Sequence, residues 1–264
     1  MMLNSLIRRG IRIALAVGIT VSSWLGFYQS SLALPEPQVL QKLEQIPMFL
    51  IVAQDGNLVL INTQTPQGSD TSSGRLVIFG AYSDAAKMLD LLQKNSSDLA
   101  GKIKIIPLAF SRVYEMLKKM SQEEKKMPPI TFFSQEEDMK AATDILQQSG
   151  KKVDNLQKFG IPLFFVTIGK NEEFIVKKND QGNTFIPFYM TLKDAQAELE
   201  EYKKQFPDRK PEEIKIGVVP LLELVQVLLQ KDEEALKIMQ IIPSEQQINE
   251  ANRLLQNTKA NGSQ

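Results

Sequence analysis

The sequence predicts an α/β protein made of two pseudo-symmetric half-domains from an internal duplication, with mixed sheets and packed helices. Three observations carry this. Apolar β-type runs alternate with helical periodicities. The segments of the first half return in the second in the same order, and the copies stay about 110 to 115 residues apart throughout, which isolated chance similarities do not maintain.

Each half opens on an apolar run, Ile46-Pro47-Met48-Phe49 matching Ile161-Pro162-Leu163-Phe164. In the first copy the run continues to Val52 and meets Asp55-Gly56-Asn57, a hairpin signal because glycine tolerates positive φ, before Leu58-Val59-Leu60-Ile61 returns. The second copy turns at Gly169-Lys170-Asn171. After a polar loop at 64–74 comes a third strand, Arg75-Leu76-Val77-Ile78-Phe79, lined up with Thr184-Phe185-Ile186-Pro187-Phe188. Ser83 and Thr191 stand where helix N-caps are expected, ahead of Ala85, Met88, Leu89 and Leu92 in one copy and Ala195, Leu199 and Tyr202 in the other. Lys102-Ile103-Lys104-Ile105 then matches Glu213-Ile214-Lys215-Ile216, each followed by a helical pattern, 107–120 and 218–231. Between the halves, 129–133 reads as a strand and 136–148 as a helix capped by Ser134. Residues 232–257 read as two short helices, one with Ala235, Ile238, Met239 and Ile242, the next with Ile248, Ala251, Leu254 and Leu255. The expected division is a leader at 1–33, a first repeat at 34–120, a linking strand-helix segment at 121–160, a second repeat at 161–231 and C-terminal helices with a tail at 232–264.

The leader differs from everything after it. Arg8, Arg9 and Arg12 precede the uncharged stretch 13–28, and Ser31-Leu32-Ala33 follows, the pattern of a secretory signal peptide cleaved after Ala33. The rival reading is a retained membrane anchor, which wants about 20 apolar residues; this stretch is shorter and broken by Thr20, Ser22 and Ser23. A mature chain starting near Leu34 carries no tryptophan, since Trp24 is the only one. Cleavage removes three of the 31 basic groups and none of the 31 acidic ones, leaving net −3 with no basic cluster, so nucleic acid is not an expected partner.

With no cysteine and no histidine, disulfides, thiol chemistry, His/Cys metal sites and the Ser-His-Asp and Cys-His constellations are all excluded. A cysteine-free exported chain is indifferent to redox conditions, which suits a periplasm or related lumen. The carboxylate doublets Glu123-Glu124, Glu136-Glu137, Glu172-Glu173, Glu200-Glu201 and Glu212-Glu213 do not make an acid–base pair, because neighbours on a helix point about 100° apart. Neither glycine-rich phosphate motif occurs among the 14 glycines. The stretch 178–183 has a faint calcium-loop look but lacks the regular acids and reads as a turn. No catalytic residue, metal site or cofactor is therefore expected.

Interaction signals are stronger. Phe110, Val113, Tyr114 and Leu117 form one stripe of a helix whose other face is polar, whereas the second copy replaces Ser111, Met116 and Lys118 with Leu222, Val227 and Leu229 and is apolar nearly all round. We expect 232–257 to fold back over those three residues, the alternative being a partner. Met88, Met116, Met120, Met127 and Met139 gather in the first half and linker, and flexible thioethers suit varied apolar partners, although core filling is the simpler role for Met88. One shallow apolar pocket per repeat would place partner contacts at Tyr114, Met116 and Met120, and at Tyr189, Leu222 and Val227.

The leader, the paired I-P-[ML]-F openings, the Phe132-Phe133-Ser134 strand followed by an alanine-bearing helix, and the paired I-K-I segments together resemble the Tic 22-kilodalton subunit family over about residues 40–231. In plants that family serves the inner-envelope translocon of chloroplasts, and its cyanobacterial relatives are exported. The resemblance implies a non-enzymatic, chaperone-like protein of the periplasm, thylakoid lumen or plastid intermembrane space. Its implied partners are unfolded precursors, or outer-membrane barrel proteins and their assembly machinery. A periplasmic or lumenal module for a small apolar ligand or lipid, held in a groove between the halves, is the alternative.

Overall fold

A computed structural model describes residues 34–61, 74–123, 127–150, 159–169, 172–208, 210 and 213–261, the last four as backbone. The leader with Trp24, most of the polar loop at 64–74, Lys170-Asn171, Glu124 and Glu212 lie outside the described residues. The chain divides into two compact units.

The first unit takes Leu40–Met139, residues 159–161 and the segment from Pro243 onward. Its sheet contains β1 (Pro47–Ala53), β2 (Leu60–Ile61), β3 (Arg75–Phe79), β4 (Ile103–Ala109) and β5 (Ile130–Phe133). β1 lies between β4 and β3, antiparallel to both; β5 joins the far side of β3 in parallel, and β2 pairs antiparallel with the start of β3. β1 is apolar without alternation because both faces of the sheet are covered. On one face Phe49, Ile51, Val77, Phe79 and Ile103 pack against Ala85, Met88, Leu89 and Leu92 of α2 (Tyr82–Asn95) and against the C-terminal helix through Ala251 and Leu254. On the other, Phe132 meets Phe110 edge to face at 6.1 Å. Phe110 opens α3 (Phe110–Gln122), which packs on β1 and β4 and buries Val113 and Leu117. The hairpin after β1 turns where expected: Gly56 adopts φ 89° and Asp55 Oδ1 accepts from the Asn57 amide at 3.0 Å.

The second unit takes the described residues up to Val39, those from Lys140 to 150 and Pro162–Ile242. α1 (Glu36–Leu43) and α4 (Glu136–Gln148) therefore have residues in both units. Its sheet runs β10 (Ile214–Pro220), β6 (Pro162–Ile168), β9 (Thr184–Tyr189), β11 (Met239–Ile242), with β7 (Glu173–Phe174) on β6 and β8 (Lys177–Lys178) on β9. Pairing senses repeat those of the first sheet, antiparallel, antiparallel, then parallel. α5 (Leu192–Gln205) places Leu199 and Tyr202 against Val166, Ile175 and Ile214. α6 (Leu221–Gln230) follows β10, and the single turn α7 (Glu234–Lys237) precedes β11.

Registers match between the sheets: Pro47↔Ala109 has its counterpart in Pro162↔Pro220, Phe49↔Phe79 in Phe164↔Tyr189, and Phe79↔Phe133 in Tyr189↔Ile242. Phe79 therefore corresponds to Tyr189, one residue beyond the Phe188 of the sequence alignment. α2 and α5, both 14 residues long, start at Tyr82 and Leu192, the same distance beyond Phe79 and Tyr189, so Met88 and Glu198 are each the seventh residue of their helix.

Several expectations are corrected. The residue at the start of α2 is Ala81, not Ser83, and it makes no side-chain cap; Thr191 does cap α5, accepting from the Asp194 amide. Gln135, not Ser134, precedes α4, its carbonyl accepting from Met139. β4 and β10 run to Ala109 and Pro220, taking the first residues assigned to the following helices. Residues 239–242 are a strand, with Met239 and Ile241 buried and alternate residues half-buried, a period of two in place of the expected helix. The final helix, α8 (Glu245–Asn261), belongs to the first unit, so only the 232–242 part of the expected cover shares a unit with Leu222, Val227 and Leu229.

Candidate protein-interaction surface

The six residues expected to touch partners fall three to a unit. Tyr114, Met116 and Met120 are half-buried on α3, flanking the inward stripe Phe110, Val113, Leu117 on its two sides. Leu222 and Val227 flank the inward stripe of α6 in the same manner, also half-buried. Tyr189 differs. It is 7% exposed and its hydroxyl donates to Glu198 Oε2 at 2.8 Å, so it presents no apolar surface to a partner.

Tyr189 belongs to an internal clamp that sequence reasoning missed. Glu198 Oε2, on α5, also accepts from Lys177 Nζ of β8 at 2.5 Å, and Lys177 lies 3.7 Å from Glu201. Thr191 Oγ1 donates to Asp194 Oδ2 at 2.6 Å nearby. Burial and the Glu198, Glu201 and Asp194 charges together push the Tyr189 hydroxyl well above the ordinary phenol range. The clamp ties β8, β9 and α5 together. In the first unit the Asp194 counterpart, Asp84, has Ala81 where α5 has the threonine; one of its oxygens is buried without a hydrogen bond, and burial holds its carboxyl above the usual range.

Of the remaining charged doublets, Glu200 pairs with Lys203 at 2.8 Å and Glu201 with Lys177. The turn after β8 is organised by Asn179, whose Oδ1 accepts from the Gln181 and Asn183 amides at 3.1 and 2.9 Å. Among the described residues no group of acidic side chains is placed to hold a metal ion.

Accessible apolar side chains collect elsewhere. Of seven large exposed hydrophobic residues among those described, Leu60, Leu91, Phe133, Ile248 and Leu255 belong to the first unit and only Val176 and Phe206 to the second, so the first unit is the place to seek a contact surface. Its focus is Gly80. The Gly80 amide donates to the Phe133 carbonyl at 2.9 Å, while its own carbonyl accepts from Gln247 Nε2 at 2.6 Å. Phe133, 42% exposed, ends β5 at this point, and Ile248, 41% exposed, is the residue after Gln247. Phe133 leans on Phe79 at 5.7 Å, and among the described residues no strand pairs with the outer side of β5. An open strand edge with an exposed aromatic beside it can add an extended segment by main-chain hydrogen bonds and seat its side chains. Sequence alternation gave one clue: with Phe132 turned inward, Phe133 must face away.

Fold and surface define the class, a mixed α/β protein with eight helices among the described residues and two largely antiparallel sheets. The Tic22-like family model matches residues 12–262, and the chain belongs to that family. Two solved structures share the fold. Tic22 from Anabaena, a protein-transport protein, has a TM-score of 0.65 at 20% identity, over 85% of this chain and 97% of that one. Tic22 from Plasmodium falciparum has a TM-score of 0.62 at 22% identity, over 83% and 98%. A comparison with curated protein sequences found no match.

Proposed function

We propose that this protein assists protein transport by holding precursor segments transiently, as a chaperone-like factor without catalytic chemistry. Family membership and the protein-transport role of the Anabaena relative support the general role. The observation that carries the mechanism is the exposed Phe133 on β5, whose outer side pairs with no strand among the described residues, with the exposed Ile248 of the C-terminal helix as a second apolar contact. Half-buried Tyr114, Met116 and Met120 on α3, and Leu222 and Val227 on α6, are secondary contacts in this reading. Its clients are unfolded precursors or outer-membrane barrel proteins, met in an exported compartment after removal of the leader. Among the described residues no helix is long and apolar enough to cross a membrane. The shared strand order and register support an origin of the two sheets by duplication, with repeats close to those drawn from the sequence.

The test is suppression of aggregation of a urea-diluted outer-membrane barrel protein. The wild-type chain should protect it, and Phe133→Ser with Ile248→Ser should lose most of that protection while keeping the unfolding free energy from urea titration within about 1 kcal/mol of the parent, as befits surface positions. Equal protection by the double variant refutes the surface. Absence of protection by the parent refutes the chaperone-like role.

A further inference from the structure

The first sheet presents a large apolar face that α2 shares with the C-terminal helix, and the C-terminal helix brings little apolar surface of its own. Phe49, Ile51, Val77, Phe79 and Ile103 form that face, none more than 4% exposed. α8 lies on β4 and β1 beside α2, yet along 245–257 only Gln247 and Ala251 are buried, with Leu254 partly so. Ile248 and Leu255 of the same helix stay 41% and 48% exposed. What holds α8 is largely polar: Gln247 Nε2 on the Gly80 carbonyl at 2.6 Å, and the Arg253 guanidinium 5.1 Å over the Tyr82 ring. Its start is fixed by a reciprocal capping box, the Ser244 amide donating to Gln247 Oε1 and the Gln247 amide to Ser244 Oγ. The helix thus keeps its shape locally while its hold on the sheet rests on an alanine, one leucine and two polar pins.

We propose that this face is a seat for an amphipathic α-helix, filled by α8 as an internal stand-in and taken over by a helix of a transported precursor when α8 lifts away. The chemistry of the occupant is read from α8 itself: contacts at positions i, i+4 and i+7, here 247, 251 and 254, laid on an apolar floor. A partner with larger aliphatic residues at the first two of these positions brings more apolar surface of its own against the floor than Gln247 and Ala251 do, which lets it compete against a covalently attached helix. That the partner is a precursor rests on the transport reading. The seat does not.

The chain has no cysteine, so a tether can be introduced unambiguously. In the full-length protein carrying Tyr82→Cys and Arg253→Cys, the two thiols are either left free or joined by a short bismaleimide. The probe is a fluorescein-labelled synthetic peptide of residues 243–261 with Gln247→Leu and Ala251→Leu, followed by anisotropy, with near-native urea midpoints required of both forms. Joining the thiols should weaken peptide binding by about tenfold or more, because the attached helix then competes permanently. Gln247→Ala alone, which removes the other pin, should bind the peptide more tightly than the parent. Equal affinity of linked and unlinked forms overturns the proposal, as does failure of all forms to bind. Run beside the barrel-protein assay, the same proteins separate the two ideas. Protection unaltered by the link, with peptide binding also unaltered, sinks the seat alone, whereas a parent that never protects sinks the transport reading and leaves peptide binding to judge the seat.

Discussion

Replacing Tyr189 and Glu198 separately and then together tests the clamp of the second unit. Glu198→Met removes the acceptor of a hydroxyl on a residue only 7% exposed, and a buried polar group without a partner costs about 1–3 kcal/mol. It also deprives Lys177 of its 2.5 Å partner; with the lysine 34% exposed and Glu201 still 3.7 Å away, that loss is screened to at most about 1 kcal/mol. We expect about 1–4 kcal/mol in all. Tyr189→Phe leaves Glu198 with its lysine and should cost about 0.5–1.5 kcal/mol. The double variant places at these positions the pair found at their counterparts, Phe79 and Met88, and removing both partners of a buried hydrogen bond is nearly neutral. Its destabilisation should therefore fall well below the sum of the single changes. The assay is urea unfolding at pH 8, and additivity within about 0.5 kcal/mol would refute the clamp.

The same group has an alkaline signature. Its folded pKa lies above the unfolded value of about 10, so its contribution is complete below pH 10 and lost as pH rises. Relative to Tyr189→Phe, the parent should lose up to about 1.4 kcal/mol per pH unit above pH 10. Parallel stability curves for the two proteins between pH 9 and 11 would contradict the assignment.

Two further substitutions probe local packing. Ala81→Ser supplies the hydroxyl that Thr191 provides to α5, on a backbone of nearly the same conformation (φ −128°, ψ 140° against −129°, 146°), and should add about 1 kcal/mol, or about 2–4 °C in thermal midpoint. Asp84, held above its usual carboxylate range by burial, contributes fully below its unfolded pKa and loses stability as pH rises, so the gain should be larger at pH 7 than at pH 4. Gly217→Ala places a methyl 2.4 Å from the Phe165 ring, which cannot swing aside easily because it is packed at 5.1 Å against both Phe174 and Phe188; a loss of about 1–3 kcal/mol by urea titration is expected. In cells, intact mass should show a chain starting near Leu34 without Trp24, and a full-length membrane-embedded chain would favour the anchor.

Much of the fold was legible because it rests on local signals. The Asp55-Gly56-Asn57 hairpin, the helix at 136–148 and the strand ending at Phe133 follow from turn chemistry and periodicity within a few residues. The misreadings arise where a distant partner decides. Residues 239–242 are apolar enough for either element, and they are extended because β9 offers an edge to pair with. The alignment slipped by one because Phe79 was matched to Phe188 by residue type, whereas register is set by Phe49 and Phe164 on the neighbouring strand. The start of α8 carried a usable signal in Ser244-x-x-Gln247, but its placement on the first sheet is tertiary.

That one-residue correction bears on function. With the registers matched, Phe79 and Met88 stand where the second sheet has Tyr189 and Glu198. The first pair is apolar, in the cluster that includes Ala251 of α8. The second is polar, and its hydroxyl and carboxylate satisfy each other and Lys177. An apolar floor accepts any helix that brings complementary side chains, whereas a pair already bonded internally has nothing to offer without first breaking those bonds. The two sheets share an architecture yet differ in the chemistry of these matched core positions. On the proposed reading, contact with varied partners is concentrated in the first unit, where Phe133, Ile248 and Leu255 are exposed.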